Sequence, residues 1–387
     1  MTIRPASRME SVEISLIRQI NALATPLSIN LGIGEPNVEP TPAIRRIAAE
    51  VAAGEPWRYS PNPGFIELRR LIAEEEAPQY DPQTEICVTA GTEEGLYAVM
   101  QTFVEPGDAV LVPDPGFVSY PVLVSLAGGT AVPYALDPDT WDIDFDQLER
   151  VWKKKVKAIV VNSPSNPTGA VIPEPSVRRL VAMAEARGTL IVADEVYREI
   201  HYGERPPTFG GRGAQAIVLN GMSKSHSMTG LRLGWILAPA ALMRELVKAH
   251  QYIATCASVF SQQLAMRLLA DGAARREWLE SLRGAFLRQR DAAVAAAARA
   301  LGVAMRPPAG AFYLFAPVPA CASYDLARRL ATDAAVLTIP GSAFGRRGEG
   351  FLRISYAAPV DVIQKGFGRI GKYLEQMEGS DPSCFKR

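Results

Sequence analysis

Short apolar runs alternate with helix-like segments along most of the chain. The runs at 86–90, 109–112, 158–161 and 189–193 have the length and β-branched content of buried strands, and helical patterns lie between them. Such alternation predicts an α/β protein with a largely parallel sheet covered by helices on both faces. Because ligands of these sheets bind beyond the carboxyl ends of the strands, we expect functional residues in the loops that follow them.

The stretch 221–235, GMSKSHSMTGLRLGW, joins two further strand-like runs. Ser223 and Arg232 could hold a phosphate, one through its hydroxyl and backbone N–H and the other through a planar fork of donors. Lys224 between them can act as an amine nucleophile if burial or neighbouring cations lower its pKa. A lysine beside a phosphate site suits an aldehyde-bearing phosphate ester such as pyridoxal phosphate. A solvent-exposed loop lysine is the alternative interpretation.

Three more features point to the same edge of the sheet. Asp194 ends a buried strand, where a carboxylate is unfavourable unless it meets a cation or strong donors, such as a protonated pyridine nitrogen. Tyr197 could place its hydroxyl near the same ligand, and Asn166, between two prolines, could donate to a ring oxygen. The turn at Gly91 opens a helix directly after a strand, which forms an anion site. Helix capping by Asp194, packing of Tyr197 and simple turn chemistry at Asn166 are the alternatives.

Glycines near the N-terminus resemble the start of a dinucleotide-binding fingerprint. Gly32 and Gly34 have the right spacing, but no third glycine follows and Pro36 prevents an immediate helix. We therefore exclude a Rossmann nucleotide site, while a glycine turn that lets the backbone approach a ligand stays open. Upstream, apolar residues at helical spacing across 12–23 predict an amphipathic helix in an N-terminal arm.

Composition excludes several classes of protein. The 387 residues suggest two or three domains, and 48% apolar against 21% charged residues is typical of a globular protein. The 41 basic residues balance the 41 acidic ones, so we expect neither a nucleic-acid partner nor a membrane-surface partner. The start MTIRPASRMESVEIS lacks the apolar segment of a signal peptide, and no run approaches the roughly 20 apolar residues that span a bilayer.

The cysteines and histidines indicate no metal site. The four cysteines are isolated and lack metal-ligand spacing, which favours free thiols in a reducing compartment, so we expect a cytoplasmic protein. His226 lies close enough to Lys224 to touch a site there, whereas we expect His201 and His250 at surfaces or helix ends.

Four short motifs, in this order, carry a resemblance to a known family. They are NPTG at 166–169, DEVY at 194–197, SKS through GLRLG at 223–234, and RIS at 353–355. Together they resemble the hallmarks of class I/II pyridoxal phosphate (PLP)-dependent aminotransferases of fold type I, the aspartate aminotransferase superfamily, over about residues 31–356. The resemblance implies a large domain with a mostly parallel central sheet flanked by helices, plus a smaller α+β domain.

The domain division that we expect has three parts. Residues 1–45 form the N-terminal arm and part of the small domain, 46–283 form the large PLP-binding domain, and 284–387 form the C-terminal small domain. A long Ala/Arg-rich helix at 285–301 would link the two domains, and the residues from Gly379 onward are expected to be loose.

The resemblance also implies roles around the cofactor ring. Lys224 would form the Schiff base and then move the proton between the substrate Cα and the cofactor C4′. Asp194 would pair with the pyridine nitrogen, while Asn166 and Tyr197 would contact the phenolate oxygen. Phe117 matches the aromatic residue that stacks on the ring, at a position where many members carry Trp or Tyr.

Phosphate binding is implied for a second group of residues. Ser223, Arg232 and the backbone of Thr92 and Glu93 would hold the phosphate. The charge of Glu93 suits no phosphate contact, so only its N–H is assigned. Tyr59 matches a tyrosine that reaches the phosphate in the neighbouring subunit, which implies a homodimer with shared active sites.

Substrate binding is implied for Arg353, which would clamp the α-carboxylate with two parallel hydrogen bonds, assisted by Asn166 and the backbone of Gly34. Leu231 stands at a position that is often aromatic. The sequence identifies no second arginine of the kind that marks a dicarboxylate substrate.

The sequence therefore predicts an aminotransferase that moves an α-amino group between an L-amino acid and a 2-oxo acid with ping-pong kinetics. One alternative keeps the fold and the cofactor but changes the outcome to a lyase, a cyclising enzyme or an oxygen-dependent oxidase or hydroxylase. A second alternative is a non-enzymatic regulatory or binding protein, against which the full set of catalytic residues argues.

Overall fold

The computed structural model describes residues 3–10, 12–54, 57–153, 155–319 and 321–380. Its strands are β1 (Ile29–Asn30), β2 (Ile86–Thr89), β3 (Ala109–Asp114), β4 (Thr130–Ala135), β5 (Val156–Asn162), β6 (Leu190–Asp194), β7 (Ala216–Gly221), β8 (Gly234–Leu237), β9 (Tyr313–Pro317), β10 (Val336–Leu337), β11 (Ile339–Pro340) and β12 (Phe351–Ser355). Its α-helices are α1 (Leu16–Asn21), α2 (Pro42–Ala52), α3 (Ile66–Glu76), α4 (Thr92–Phe103), α5 (Ser119–Leu126), α6 (Phe145–Val151), α7 (Glu174–Arg187), α8 (Met222–Ser225), α9 (Ala240–Ala254), α10 (Val259–Ala270), α11 (Gly272–Leu301), α12 (Ser323–Thr332) and α13 (Val360–Ser380).

The largest sheet has seven strands in the order β2-β8-β7-β6-β5-β3-β4. The neighbouring pairs from β7 to β4 are parallel, and β8 runs antiparallel to both β2 and β7. The chain moves outward from β3 to β4 and then returns to build β5, β6 and β7 on the other side of β3. The order of the strands therefore reverses between β3 and β5, which is where such sheets bind ligands. The predicted α/β architecture is confirmed.

Residues on the two faces of this sheet belong to two hydrophobic cores. Val110 and Val160 pack in one core with α4, α5 and α9, while Leu111 and Ile159 pack in the other. Neighbouring residues of β3 and β5 thus point to opposite faces, as the pleat of a strand requires. Because both faces are covered, these strands are apolar throughout, and polar residues enter only where the strands end.

The C-terminal part of the chain builds smaller sheets. Strands β11, β12 and β9 form an antiparallel sheet, and β1 from the N-terminal arm pairs with β10 in parallel. Helix α11 has 30 residues and runs without a break through the boundary that we place at 283/284. The division into domains at 45/46 and 283/284 stays a prediction.

Local chemistry explains two of the helix starts. The Thr41 hydroxyl accepts a hydrogen bond from the N–H of Ile44 at 3.3 Å and Pro42 occupies the first turn, so α2 begins where its sequence predicts. In α5, Pro121 is the third helical residue. The first turn has no intrahelical partner for its N–H groups, so the proline does not break the helix.

Several sequence-based boundaries need correction. The helix expected across 12–23 is confined to Leu16–Asn21, because the Ser15 hydroxyl caps its start and residues 12–15 form no regular secondary structure. The single strand expected at 335–339 is divided into β10 and β11, which pair with different strands. We did not identify β4, α6 or α13 from the sequence. Gly379 lies inside α13 and is not loose, while residues 381–387 lie outside the described residues.

Candidate active site

A cavity of about 610 Å³ opens at the carboxyl ends of β3, β5 and β6. Its volume lies within the range of about 300–1,000 Å³ that is usual for small-molecule sites. All but one of the predicted site residues line it: Gly34, Thr92, Glu93, Phe117, Asn166, Asp194, Tyr197, Ser223, Lys224, Arg232 and Arg353. The exception, Tyr59, lies on the surface and is 85% exposed.

Asp194 is a buried carboxylate that accepts two hydrogen bonds. Its Oδ2 accepts from the Tyr120 hydroxyl at 2.8 Å, and its Oδ1 accepts from the N–H of Val196 at 3.3 Å. Burial raises the pKa of Asp194 to about 6, and the Tyr120 and Val196 hydrogen bonds oppose that rise. The carboxylate is therefore held at the strand end in an orientation that keeps lone pairs available for a cation.

Lys224 lies in α8, and its side chain extends into the cavity. Its Nζ donates a hydrogen bond to the carbonyl oxygen of Gly34 at 2.8 Å. Burial, which Glu35 and Asp194 oppose and Arg353 and Arg232 reinforce, lowers the pKa of Lys224 to about 8. A larger fraction of this amine is therefore neutral near pH 7 than for a surface lysine, and the neutral amine is the nucleophile.

A short network joins the strand ends behind the cavity. Asn162 donates through Nδ2 to the backbone oxygen of Asp194 at 2.8 Å and accepts from the N–H of Asn166 at 2.7 Å. The Tyr197 hydroxyl lies 2.7 Å from that of Tyr313. Asn162 thus fixes the positions of Asp194 and Asn166, both predicted to bind the cofactor, relative to each other.

Arg353 is a buried cation with an unused donor. It is 2% exposed; its Nη1 donates to Asn166 Oδ1 at 3.0 Å and its Nη2 donates to the carbonyl oxygen of Gly32. Its Nε finds no hydrogen-bond acceptor among the residues that the structure describes. The guanidinium lies over the rings of Tyr313 and Phe344, at 4.6 and 5.0 Å from their centroids. A buried donor without an acceptor favours an anionic ligand here.

The N-terminus of α4 forms an anion site together with Arg232. Gly91, at φ +89°, precedes the helix, and a Cβ on it would collide with the Arg232 guanidinium. A Cβ on Gly234 would lie 2.8 Å from the backbone of Gly91 and Thr92. These glycines therefore allow an arginine and the first N–H groups of a helix to converge, which is how proteins bind phosphate.

We did not identify several of the cavity residues from the sequence. Tyr120, Asn162 and Tyr313 contact predicted site residues, and Arg18 and Glu35 line the side of the cavity next to the N-terminal arm. The sequence signal that pointed to Asp194, a polar residue at the end of an apolar strand, also applies to Asn162. The two tyrosines lie within apolar segments, where nothing in the sequence distinguishes them from core residues.

The histidines do not contribute to the cavity wall. His226 is buried beside Ser225, 2.8 Å from its hydroxyl, and burial lowers the pKa of His226 to about 3. Our expectation for His250 was wrong: it is buried in α9, with its ring nitrogens 3.0 Å from Glu94 Oε1 and from the carbonyl oxygen of Asn62.

The described part of the chain holds neither a metal-binding cluster nor a membrane-spanning helix. No three His, Cys, Asp or Glu side chains within the ranges given above are grouped so that they could hold a metal ion. No helix in those ranges is both long enough and apolar enough to pass through a membrane.

The donor set fits pyridoxal phosphate. The anion site at α4 suits its phosphate, the Asp194 carboxylate suits its ring nitrogen, the Lys224 amine suits its aldehyde, and the unused Nε of Arg353 suits the carboxylate of an amino acid. The fold and this cavity define a pyridoxal phosphate-dependent enzyme of fold type I.

Comparison with known proteins gives the family. The family model described as aminotransferase class I and II matches residues 27–368. The chain is 33% identical to aromatic-amino-acid aminotransferase 2 of Thermococcus litoralis and to the aspartate aminotransferase of Pyrococcus abyssi, in both cases over 96% of this chain and 98% of the relative. A structure of a Thermus thermophilus aspartate aminotransferase mutant superposes with a TM-score of 0.89 at 29% identity, covering 96% of this chain and 100% of that one. The chain belongs to the class I and II aminotransferase family.

Family membership decides between the functions that the sequence left open. The prediction of an aminotransferase is confirmed over a lyase, a cyclising enzyme, an oxygen-dependent enzyme or a non-enzymatic protein. The prediction of pyridoxal phosphate as the cofactor is confirmed as well, since members of this family depend on it.

Proposed function

We propose that this cavity is where an α-amino group moves between an L-amino acid and a 2-oxo acid, with Lys224 as the amine that bonds the cofactor. The observation that carries the proposal is the position of Lys224. Its amine, with a pKa lowered to about 8, lies in one cavity with a buried carboxylate, Asp194, and a buried guanidinium, Arg353.

The residues around the ring would control its charge. When bound, pyridoxal phosphate supplies an aldehyde that condenses with amines and a ring that accepts electrons from the substrate. Asp194 holds a proton on the ring nitrogen, because its carboxylate is ionised above pH about 6 and is unfavourably buried without a cation. Asn166 has its amide N–H groups left for the ring oxygen, since its Oδ1 already accepts from Arg353. Tyr197 would donate to the same oxygen, and Phe117, which also lines the cavity, would pack against the ring.

Lys224 and Arg353 would then act on the substrate. Arg353 binds the α-carboxylate through its unused donor capacity, assisted by the Gly34 backbone and Asn166, which turns the Cα–H bond toward Lys224. The Lys224 amine would take the proton from the substrate Cα and would deliver it to the cofactor atom C4′. The second half of the reaction reverses these steps with a 2-oxo acid, so we expect ping-pong kinetics.

The cofactor phosphate would be held at the anion site. The N–H groups of Thr92 and Glu93, the Ser223 hydroxyl and the Arg232 guanidinium provide donors there. The Glu93 carboxylate is exposed, so it can point into solvent while its N–H serves the phosphate.

For the amino donor, we propose aromatic amino acids and aspartate as the first candidates. The relatives named above act on these two classes according to their names. The cavity supports both: Ile17, Ile33 and Val118 give it an apolar side, and Arg18 gives it a cation near the N-terminal arm.

We also propose a homodimer with shared active sites. Tyr59 is 85% exposed, and Trp57 and Tyr252 are likewise exposed aromatic residues, which is typical of surfaces that a partner covers. In this proposal Tyr59 reaches the phosphate bound by the partner subunit. A Tyr59→Phe variant should remain dimeric in analytical ultracentrifugation but bind pyridoxal phosphate more weakly. Unchanged cofactor affinity would argue against this role.

A cytoplasmic location is the last part of the proposal. Cys87 and Cys256 carry free thiols, as expected in a reducing compartment. Fractionation of cells that express the tagged protein tests this part, and recovery in a membrane or secreted fraction would contradict it.

The decisive test is an absorbance spectrum of the purified holoenzyme, recorded before and after amino acids are added one at a time without a 2-oxo acid. We expect a violet-region cofactor band that one amino acid converts once and completely, and that a 2-oxo acid restores. Continuous turnover with release of ammonia or consumption of oxygen would contradict the proposal. A Lys224→Ala variant should show no such catalytic conversion.

A further inference from the structure

Tyr313 in β9 is a buried residue to which the proposed mechanism gives no role. It is 1% exposed, lines the cavity and contacts three residues of the proposed site. Its hydroxyl lies 2.7 Å from the Tyr197 hydroxyl, and its ring lies under the Arg353 guanidinium with the centroid 4.6 Å from Cζ. A Cβ on Gly34 would collide with its hydroxyl oxygen.

Only one of the two hydroxyl protons can lie between the two oxygen atoms. Burial raises the pKa of Tyr197 well above the ordinary value of a phenol and also raises the pKa of Tyr313, so both are neutral near pH 7. One hydroxyl donates to the other at 2.7 Å, and only the one that accepts keeps its own proton for a third atom. If Tyr197 were the donor of this pair, it could not donate to a cofactor oxygen.

The surroundings make Tyr313 the donor. A cation stacked on a phenol ring stabilises the negative charge that grows on its oxygen as the proton is donated, and Arg353 stacks on Tyr313. Burial raises the pKa of both hydroxyls and Arg353 opposes that rise at each of them, but it is the ring of Tyr313 that lies directly under the guanidinium. Tyr313 is therefore the better hydrogen-bond donor of the pair.

We propose that Tyr313 is a positioning residue for amino transfer. Its hydroxyl donates to Tyr197, so that the proton of Tyr197 points into the cavity. Its ring holds the guanidinium of Arg353 in position for the substrate. This inference rests on the proposed roles of Tyr197 at the cofactor ring and of Arg353 at the substrate carboxylate. It joins the two binding functions of the cavity through one side chain.

The hydroxyl is tested through the cofactor band of the holoenzyme without substrate. The pH midpoint of this band reports the proton on the nitrogen of Lys224. Negative charge on the nearby ring oxygen of the cofactor favours the proton on the Lys224 nitrogen, and a hydrogen-bond donor to that oxygen weakens this effect. Losing the donor should therefore raise the pH midpoint. We expect Tyr197→Phe to raise it most and Tyr313→Phe to raise it by about half a pH unit to one unit.

A double variant separates positioning from an independent effect. If Tyr313 acts through Tyr197, the variant that combines Tyr197→Phe with Tyr313→Phe has the midpoint of Tyr197→Phe alone. Additive shifts, or an unmoved midpoint in Tyr313→Phe, would overturn the proposal.

Tyr356→Phe is the matched control. Tyr356 is also a buried tyrosine whose hydroxyl meets another tyrosine, 3.2 Å from the Tyr202 hydroxyl and 3.2 Å from the carbonyl oxygen of Ala311, but Tyr356 lies outside the cavity wall. Its midpoint should equal that of the wild type. An equal shift in this control would mean that the effect of Tyr313→Phe is only structural, and would overturn the proposal.

The ring is tested with a carboxylate that has no amino group, 3-phenylpropanoate, titrated into the holoenzyme and followed by the cofactor band. Tyr313→Phe keeps the ring under Arg353, so its Kd should stay within about twofold of wild type. Tyr313→Leu loses the stacked ring and should bind about tenfold more weakly. Wild-type affinity in the Leu variant would overturn the role of the ring. If the Leu variant does not fold, Tyr313→Phe still decides the role of the hydroxyl.

Failure of this inference is distinguishable from failure of the proposed function. A wild-type protein that gives no cofactor band with added pyridoxal phosphate would contradict the proposed function. A wild-type band that titrates normally, with Tyr313→Phe unmoved, would contradict the role of Tyr313 alone.

Discussion

The back of the cavity and its open side are built from different kinds of structure. The back, which we call the sheet wall, consists of Tyr120, Asn162 and Asp194; two of these residues end strands that pair with each other in the central sheet. The open side, which we call the arm side, is formed by α1 and the loop after β1 and includes Arg18 and Glu35. The sheet wall is buried, whereas Arg18 and Glu35 are exposed.

This difference separates two tasks. Groups that set the electronics of a cofactor must hold their geometry within a fraction of an ångström, which strand ends with satisfied hydrogen bonds provide. Groups that select a substrate side chain can lie on a short helix and a loop, where substitutions disturb little else. The arm is attached to the molecule through β1 and β10 and through packing of α1 against β11 and α12.

The difference also sets the size of electrostatic effects. On the sheet wall, burial shifts the pKa of Asp194 to about 6, and each hydrogen bond to it is made away from water. On the arm side, solvent screens Arg18 and Glu35, and exposed ion pairs contribute only about 0–1 kcal/mol. We therefore expect substitutions in the buried part of the cavity to have much larger effects than those on the arm side.

The largest effect should follow from Lys224→Ala. Removing the amine that moves the Cα proton should lower kcat by about 10⁴-fold or more, the upper end of the usual contribution of a general acid–base group. Steady-state kinetics with the best amino donor measures the loss. Lys248→Ala, which changes an exposed lysine paired with Glu245, is the control and should keep wild-type activity. Activity of Lys224→Ala within tenfold of wild type would contradict the assignment.

Arg353→Gln should have the next largest effect. Breaking a buried, hydrogen-bonded contact between charges costs about 2–5 kcal/mol, so kcat/KM for an amino acid should fall by about 10²–10³-fold. Arg353→Lys should recover little of it, because an ammonium lacks the planar fork that binds a carboxylate with two bonds. The comparison substrate is the amine that lacks the carboxylate. An equal loss for this amine would show that the carboxylate is not what Arg353 binds.

The sequence predicted the parts of the site that lie in short motifs. Asn166, Asp194 and Lys224 each lie at or just after the end of a buried strand, and the carboxyl ends of parallel strands share one edge of the sheet. Their convergence therefore follows from the order of strands and loops along the chain. A second rule predicted the mostly parallel sheet: strands that are buried on both faces are apolar throughout, as these runs are.

The residues that the sequence did not predict meet the site through long-range contacts. Tyr120 reaches Asp194 across 74 positions of the chain, and Tyr313 reaches Tyr197 across 116. Both tyrosines lie in apolar segments that look like ordinary core. His250 shows the same limit: a histidine in an amphipathic helix gives no sign that it meets Glu94 in the interior. Periodicity predicts which face of an element is buried, but not which buried polar groups meet.

Asp194 should make the stability of the cofactor-free protein depend on pH. Its pKa is raised from 3.8 to about 6 in the folded protein, so the folded state holds the proton more tightly than the unfolded one. The stabilisation is complete below about pH 4 and is lost as pH rises through about 6, a change of about 3 kcal/mol in the free energy of unfolding. Bound pyridoxal phosphate gives the carboxylate a cation, so the rise in Tm on cofactor binding should be larger at about pH 7.5 than at about pH 5.

Two variants isolate this effect from other titrating groups. In Asp194→Asn the free energy of unfolding of the cofactor-free protein should lose this part of its pH dependence between about pH 4 and 7. In Tyr120→Phe the pKa of Asp194 should rise further, because the hydrogen bond that opposes the effect of burial is removed. Urea denaturation across this pH range measures both. The same pH dependence in Asp194→Asn as in wild type would contradict the assignment of the transition to Asp194.

The smallest effect should come from the arm side. Arg18 lines the cavity from α1 and is exposed, so its attraction for an acidic side chain acts through solvent and contributes about 1 kcal/mol or less. Arg18→Ala should therefore lower kcat/KM for aspartate by no more than about fivefold relative to phenylalanine, with less effect at high salt. The pH midpoint of the cofactor band should not move, since Arg18 is exposed and no residue proposed to bind the cofactor ring is changed. A shifted midpoint would show that the arm side and the sheet wall are coupled, and the separation of the two tasks would then be wrong.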